Sequence, residues 1–266
     1  MRRILALTRA TWLTAVSYRM GMVFSILALV VTVIPVYFVS QALQPVVAES
    51  IRNEGGNYFA FLVLGLVSMT FVLAAVGAFP ARLSSAISSG TLEAVLATPT
   101  RIPEFIVGLI GYDLLWAGVK AGLMVLAGVA LGVELVWAAL PLVALVAGIG
   151  IVGYVAIGVV AGAVILLFRT AGPIVPGVVA ATSLLGGVYY STSVIPSWIH
   201  RVSEIIPLTY ALRATRRLFL DGDSWGAVAD DVAVLTALTL TLVALSWISF
   251  GLALRYAKRT GTLSHY

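Results

Sequence analysis

Asp113 and Lys120 are the two charged side chains that lie inside long apolar runs of this sequence. Seven residues apart, they fall two helical turns from each other and so share one face of a helix. An acid and a base so placed in a membrane helix can relay a proton or couple an ion, because ionisable groups at that depth mark pathways. Read structurally instead, Asp113 stands about 12 Å along the helix from Phe105, near the inner interface, and Lys120 pairs with a neighbouring helix. Residue types exclude most other chemistry. There is no Cys, and the two His, His200 and His265, are far apart in sequence, so disulfides, thiolate metal sites and a Cys nucleophile are ruled out. No His-Glu-x-x-His is present and no His lies in an apolar run to serve a Ser as base, so no catalytic residue and no metal site is assigned. A phosphate-cradling loop ends in Gly-Lys-Ser or Gly-Lys-Thr. Here Val119 precedes Lys120 and Ala257 precedes Lys258, so the chain binds no nucleotide cofactor by that chemistry.

The elements that must carry these residues are membrane helices. Of 266 residues, 61% are hydrophobic and only 10% charged, with mean hydropathy +1.08, against roughly 25% charge in a soluble domain. Six apolar runs are long enough for the about 20 residues of a bilayer span: Met20 to Leu43, Tyr58 to Phe79, Phe105 to Leu131, Ala138 to Phe168, Ala171 to Tyr190, and Val232 to Leu254. The first is too long for the apolar region of a signal peptide and reads as a retained helix. Pro173 and Pro176 predict a bend or break near the start of the fifth. In Gly158-x-x-x-Gly162 of the fourth, small residues give a weak dimerisation signal.

Orientation follows from the basic residues. With the N-terminus inside, the inner segments hold ten: Arg2, Arg3, Arg9, Arg19, Arg82, Arg101, Arg169, Arg255, Lys258 and Arg259. The outer ones hold five, Arg52, Arg201, Arg213, Arg216 and Arg217. That bias predicts both termini in the cytoplasm, with the four Arg between the fifth and sixth spans, Arg201, Arg213, Arg216 and Arg217, dissenting. The net charge of +5 thus reflects topology and not a nucleic-acid partner. The stretch 1–19 interleaves Arg with Leu5, Trp12, Leu13 and Val16 and predicts a helix lying in the interface with its Arg snorkelling. Between spans five and six, Pro196, Pro207, His200, Arg201 and Glu204 interrupt any apolar run, so 191–231 should hold two short helices dipping from the outer face. Phe71, Tyr189 and Tyr190 are candidate lining residues of a substrate path.

The inner loop Pro80 to Glu104 is the most specific segment. Leu83, Ile87, Leu92, Val95 and Leu96 give a short, broken amphipathic pattern between Arg82 and Arg101, stopped by Pro99. Its core, Gly90, Thr91, Leu92, Glu93, Leu96, Thr98 and Pro99, resembles the inner loop of the ABC-2 type exporter permeases, Gly-Thr-Leu-Glu followed by apolar residues and Thr-Pro. The outer segment is similar to that family as well. It has Pro196 and Trp198, then Pro207, Leu208, Thr209 and Tyr210, then the basic Arg216 and Arg217. Two departures stand out: Leu109 follows Gly108 where the family often has a basic residue, and Ser84, Ser85, Ser88 and Ser89 replace its usual charges.

The resemblance implies a single permease domain over 1–266: an all-α polytopic membrane protein with six transmembrane helices, an interfacial helix at 1–19, a cytoplasmic coupling helix in 80–104 and outer re-entrant helices in 191–231. Gly90, Thr91, Leu92, Glu93, Thr98 and Pro99 would contact an ATPase, and Pro196, Trp198, Pro207 and Tyr210 would form the outer gate. The partners implied are two copies of an ABC ATPase subunit, which would hold the ATP and Mg, and a second permease chain, identical or similar. The setting is a bacterial plasma membrane. The loop form looks more like that of drug, antibiotic and lipid exporters, so a hydrophobic or amphipathic substrate is expected. The competing reading is a secondary transporter or channel acting alone through Asp113 and Lys120.

Overall fold

The computed structural model describes residues 19–90, 102–168 and 173–260. The expected interfacial helix at 1–19, apart from Arg19, and most of the expected coupling helix, from Thr91 to Arg101, lie outside these residues. Within them the chain is all helical: α1 (Arg19–Val47), α2 (Tyr58–Ser88), α3 (Ile102–Ala130), α4 (Leu140–Phe168), α5 (Ile174–Leu185), α6 (Ser197–Ser203), α7 (Pro207–Arg216) and α8 (Trp225–Thr260). Helices are the natural outcome, because an apolar segment in hydrocarbon must satisfy its own backbone groups.

Five helices, α1, α2, α3, α4 and α8, are long and apolar enough to cross a membrane. Two of them form the centre. The apolar windows of α2 and α4 are 61% and 56% buried, against 11% for α1 and 22% for both α3 and α8. The outer three therefore present Phe24, Val31, Leu115, Leu126, Leu240 and Leu252 outward, which suits lipid rather than water. Against α2 pack α1 and α3, while α8 lies along α4. One core cluster joins Val72 and Val76 of α2 with Val146 and Tyr154 of α4, Leu208 and Leu212 of α7 and Leu235 of α8. A second, toward the other end of the bundle, gathers Phe79, Leu83, Ile110, Ile165 and Phe250.

Three expectations need correction. The second span does not end near Phe79: α2 runs on through Pro80 to Ser88. Leu83 and Ile87, read as part of a separate loop helix, are buried extensions of the span. A Pro interior to a helix removes one hydrogen bond but leaves the chain helical where neighbours support it. The fifth span is not one helix over Ala171 to Tyr190. Among its described residues, 173–190, only α5 is helical, 12 residues or about 18 Å, with Pro173 at its N-cap and Gly187 at φ 77 beyond its end. Finally, Gly158 and Gly162 face α2 of the same chain. A Cβ on Gly158 would come within 2.8 Å of the Ala75 and Val76 carbonyl oxygens, and one on Gly162 would strike the Phe79 ring. The small residues serve close approach of the two central helices, which accounts for them without a dimer contact.

Candidate functional site

At the end of the bundle where α1 meets α2, the chain turns through a 3-10 turn, Arg52–Glu54, and Gly55 at φ 94. Gln44 clamps the turn: its amide donates to the Gly56 carbonyl at 2.8 Å and accepts from the Tyr58 amide at 2.7 Å. Asn57 caps α2 by accepting from the Ala60 amide. This geometry delivers the Glu54 carboxylate toward α7.

Helix α7 begins with Pro207 at its first position, which suits the ring because that amide has no helical partner. Leu208, Ala211, Leu212 and Thr215 are buried at the spacing of a single helical face. Arg216 continues that stripe and is 1% exposed. Its guanidinium donates to Glu54 at 3.0 Å, to the Gly187 carbonyl at 2.9 Å, to Phe61 at 3.1 Å and to Val188 at 3.3 Å. It also lies 3.3 Å from the centre of the Phe61 ring, a cation–π contact strengthened by desolvation. Only Nε has no partner. Burial pushes the Arg216 pKa down to about 10, against which the Glu54 carboxylate acts, so it remains a cation at neutral pH. The second Glu54 oxygen accepts from Ser191 at 2.7 Å. One buried ion pair thus joins the α1–α2 turn, α2, the segment after α5, and α7.

Two further Arg of this region are paired: Arg213 with Asp231 at 3.0 Å and Arg217 with Asp223 at 2.8 Å. Three of the four Arg that dissent from the basic bias thus hold structural ion pairs; Arg201, the fourth, is exposed on α6. Arg217 opens a π-helical turn, Arg217–Asp221, closed by Gly222 at φ 70.

The candidate gate residues fall on both short helices. Pro196 precedes α6 and Trp198, on its first turn, is 70% exposed. Pro207 is buried, and Tyr210, half-buried, lies under the Arg213 guanidinium at 5.6 Å. Neither helix, of seven and ten residues, is long enough to span. Thr209 donates to the Ser203 carbonyl at 2.9 Å and Ser203 to that of Leu185 at 2.7 Å, tying both helices to the end of α5.

At the opposite end, Gly90 follows α2 at φ 69 with no heavy atom of the described residues near the place of a Cβ, a conformation suited to terminating a helix. Thr91, Leu92, Glu93, Thr98 and Pro99 lie outside the described residues. Arg82, on the extension of α2, makes a bidentate pair with Asp113: Nε to one oxygen and Nη2 to the other, both at 3.0 Å. Asp113 is therefore matched by Arg82 of the neighbouring helix and not by Lys120. Lys120 has no ion pair among the described residues.

Among the described residues, two of the hollows between the helices bear on the candidate path. An apolar cavity of about 250 Å3 is bounded by Phe71, Tyr154, Leu208 and Phe219 among others. A larger cleft of about 820 Å3, between α1, α2, α3 and the region of α5, is lined by Asp113, Lys120, Trp116 and Tyr189. Phe71 and Tyr189 thus belong to different hollows, and the Tyr190 hydroxyl donates to the Leu184 carbonyl. Among the described residues no group of three acids or His could hold a metal ion.

The burial of Arg216 went unrecognised in the sequence, although the signal was there. Leu208, Ala211, Leu212, Thr215 and Arg216 fall at i, i+3, i+4, i+7 and i+8, which puts Arg216 on the buried stripe.

A bundle of spanning apolar helices, with hollows between them and short helices tied across one end, defines a multi-pass membrane protein. More particularly, the family model described as ABC-2 type transporter matches residues 2–220, and the chain belongs to that family. It is the permease of an ABC-type transporter, a transport subunit and not a catalytic domain, and such permeases normally work with an ATPase subunit. No individual curated protein matches the chain.

Proposed function

We propose that this chain is the membrane subunit of an ATP-driven exporter in a bacterial plasma membrane, moving a hydrophobic or amphipathic molecule outward. It would cross the bilayer six times with both termini cytoplasmic, α5 and the turn after it forming the fifth crossing. Two copies, or one copy and a similar permease, would sit on two ATPase subunits that hold ATP and Mg. Gly90, Thr91, Leu92, Glu93, Thr98 and Pro99 would form the coupling surface, and α6 and α7, carrying Pro196, Trp198, Pro207 and Tyr210, would cap the exit as re-entrant helices. Phe71 and Tyr189 would line the path, with Tyr190 at its outer rim. The observation that carries this reading is the family match over residues 2–220. It is supported by the Gly-Thr-Leu-Glu…Thr-Pro run, and the close of α2 at Gly90 leaves that run between the second and third spans. The pairing of Asp113 with Arg82 weighs against the stand-alone transporter, which needs Asp113 and Lys120 as a couple.

Isolating the tagged chain from its native membrane tests the proposal. An ATPase with a phosphate loop should copurify in a one-to-one ratio with the permease chains. Recovery of the chain alone, under conditions that keep other membrane complexes intact, would count against it.

A further inference from the structure

Lys120 is placed where an unmatched charge is least expected. It is 14 residues from the start of the apolar window Ile106–Ala130 and ten from its end, or about 21 Å and 15 Å along the axis, which puts it near mid-bilayer. Among the described residues the cleft it lines holds one other charged residue, Asp113, and Asp113 is neutralised by two hydrogen bonds from Arg82. The charged groups facing the cleft therefore sum to the single positive charge of Lys120. Thr32, Thr70 and Ser183 in the cleft wall donate their hydroxyls to carbonyls of their own helices, so none of them supplies Lys120 with a countercharge. Ser25 and Tyr189 also line it, and most of the remaining wall is apolar, with Leu29, Leu66 and Leu73 along α1 and α2, and Trp116 and Met124 on α3.

At about 820 Å3 the cleft falls within the roughly 300–1,000 Å3 of small-molecule sites. It is also bounded on one side by α1, only 11% buried along its apolar window, so a ligand could enter sideways from the membrane. An unpaired cation in a predominantly apolar cleft selects an anion that brings its own apolar body.

From this we propose that the cleft between α1, α2, α3 and α5 is a binding site for an amphipathic acid, its carboxylate or phosphate on the Lys120 ammonium and its apolar chain along Leu29, Leu66 and Leu73. The site rests on the permease reading only in so far as the bound molecule is taken as cargo. Binding itself does not require it.

Trp116 lines the cleft and reports on it directly. The full chain is placed in phosphatidylcholine nanodiscs and titrated with a dibrominated stearic acid, whose bromines quench indole emission, or with its uncharged methyl ester. The part of the quenching that Trp116→Phe removes belongs to the cleft. The acid should half-saturate that part at a concentration roughly tenfold below the ester, Lys120→Gln should erase the difference, and Lys120→Arg should keep it. Equal affinity for acid and ester in the unmodified chain overturns the proposal without any variant at Lys120, as does unchanged acid affinity in a folded Lys120→Gln chain. Phosphatidylglycerol in the discs separates the two sources of ligand: displacement of the acid identifies a bilayer lipid, and indifference identifies a free amphipathic acid, the site standing in both cases. Loss of acid selectivity while the ATPase still copurifies removes this site and leaves the permease reading. Selective binding by a chain that carries no ATPase does the reverse.

Discussion

Replacing Arg216 by Ala should be among the most damaging single substitutions in the protein. The guanidinium is 1% exposed and its removal strands the Glu54 carboxylate, whose side chain is 14% exposed, together with the carbonyls of Phe61, Gly187 and Val188 that it now satisfies. Removing one member of a buried ion pair costs about 3–5 kcal/mol, because the other charge is left uncompensated. At about 2–4 °C per kcal/mol for a chain of this size, the midpoint of thermal unfolding should fall by roughly 10 °C. Arg216→Lys keeps a cation for Glu54 but cannot present a planar fork to three carbonyls, so it should fall between wild type and Ala. The double variant Arg216→Met, Glu54→Met leaves no charge stranded and should lose less than the two single losses summed. Intrinsic tryptophan fluorescence of the detergent-solubilised chain during heating gives the midpoints. An Arg216→Ala chain melting within about 2 °C of wild type would refute the reasoning, as would strictly additive losses in the double variant.

The Arg82–Asp113 pair should show coupling of about 1–3 kcal/mol in a double-mutant cycle, and exchanging the two residues should recover most of the stability that either single change to Asn or Gln removes. Gly162→Leu should destabilise the chain by about 1–3 kcal/mol through overpacking against Phe79, while the oligomeric state of the folded fraction, read by light scattering, stays as in wild type. In the proposed topology, Cys introduced at position 52 should react with an impermeant maleimide added from outside intact cells, and labelling from the cytoplasm alone would invert the topology. Glu93→Ala should insert and fold normally yet lower substrate-stimulated ATP hydrolysis by the copurified partner; truncating one member of a buried contact pair costs about 2–5 kcal/mol.

The long helices were legible because hydropathy and span length constrain them so tightly. Tyr58 was placed correctly as the first residue of α2. What failed was the assumption that a Pro or an Arg marks the end of a span. Pro80 and Arg82 lie inside α2, where Arg82 reaches Asp113 instead of the headgroups. Composition reports where apolar residues stop and not where hydrogen bonding stops, so a helix that runs on past its span stays hidden. The fifth run shows the converse, since its apolar residues from Gly186 onward leave the helix to offer carbonyls to Arg216. The short helices were foreseen from Pro196 and Pro207, each of which stands at a helix start. The partner of Arg216 was not, because Glu54 is 162 residues away in sequence and no local pattern links them.

Transport in inside-out membrane vesicles tests the central proposal most directly. Vesicles carrying the chain and its ATPase are loaded from outside with an amphipathic fluorescent dye, and accumulation is followed with ATP, with a non-hydrolysable analogue, and with a proton ionophore present. The account predicts uptake that requires hydrolysable ATP and both subunits and that persists when the ionophore has collapsed the proton gradient. Uptake by the chain alone, indifferent to ATP and abolished by the ionophore, would contradict it and restore Asp113 and Lys120 as the couple of a gradient-driven transporter.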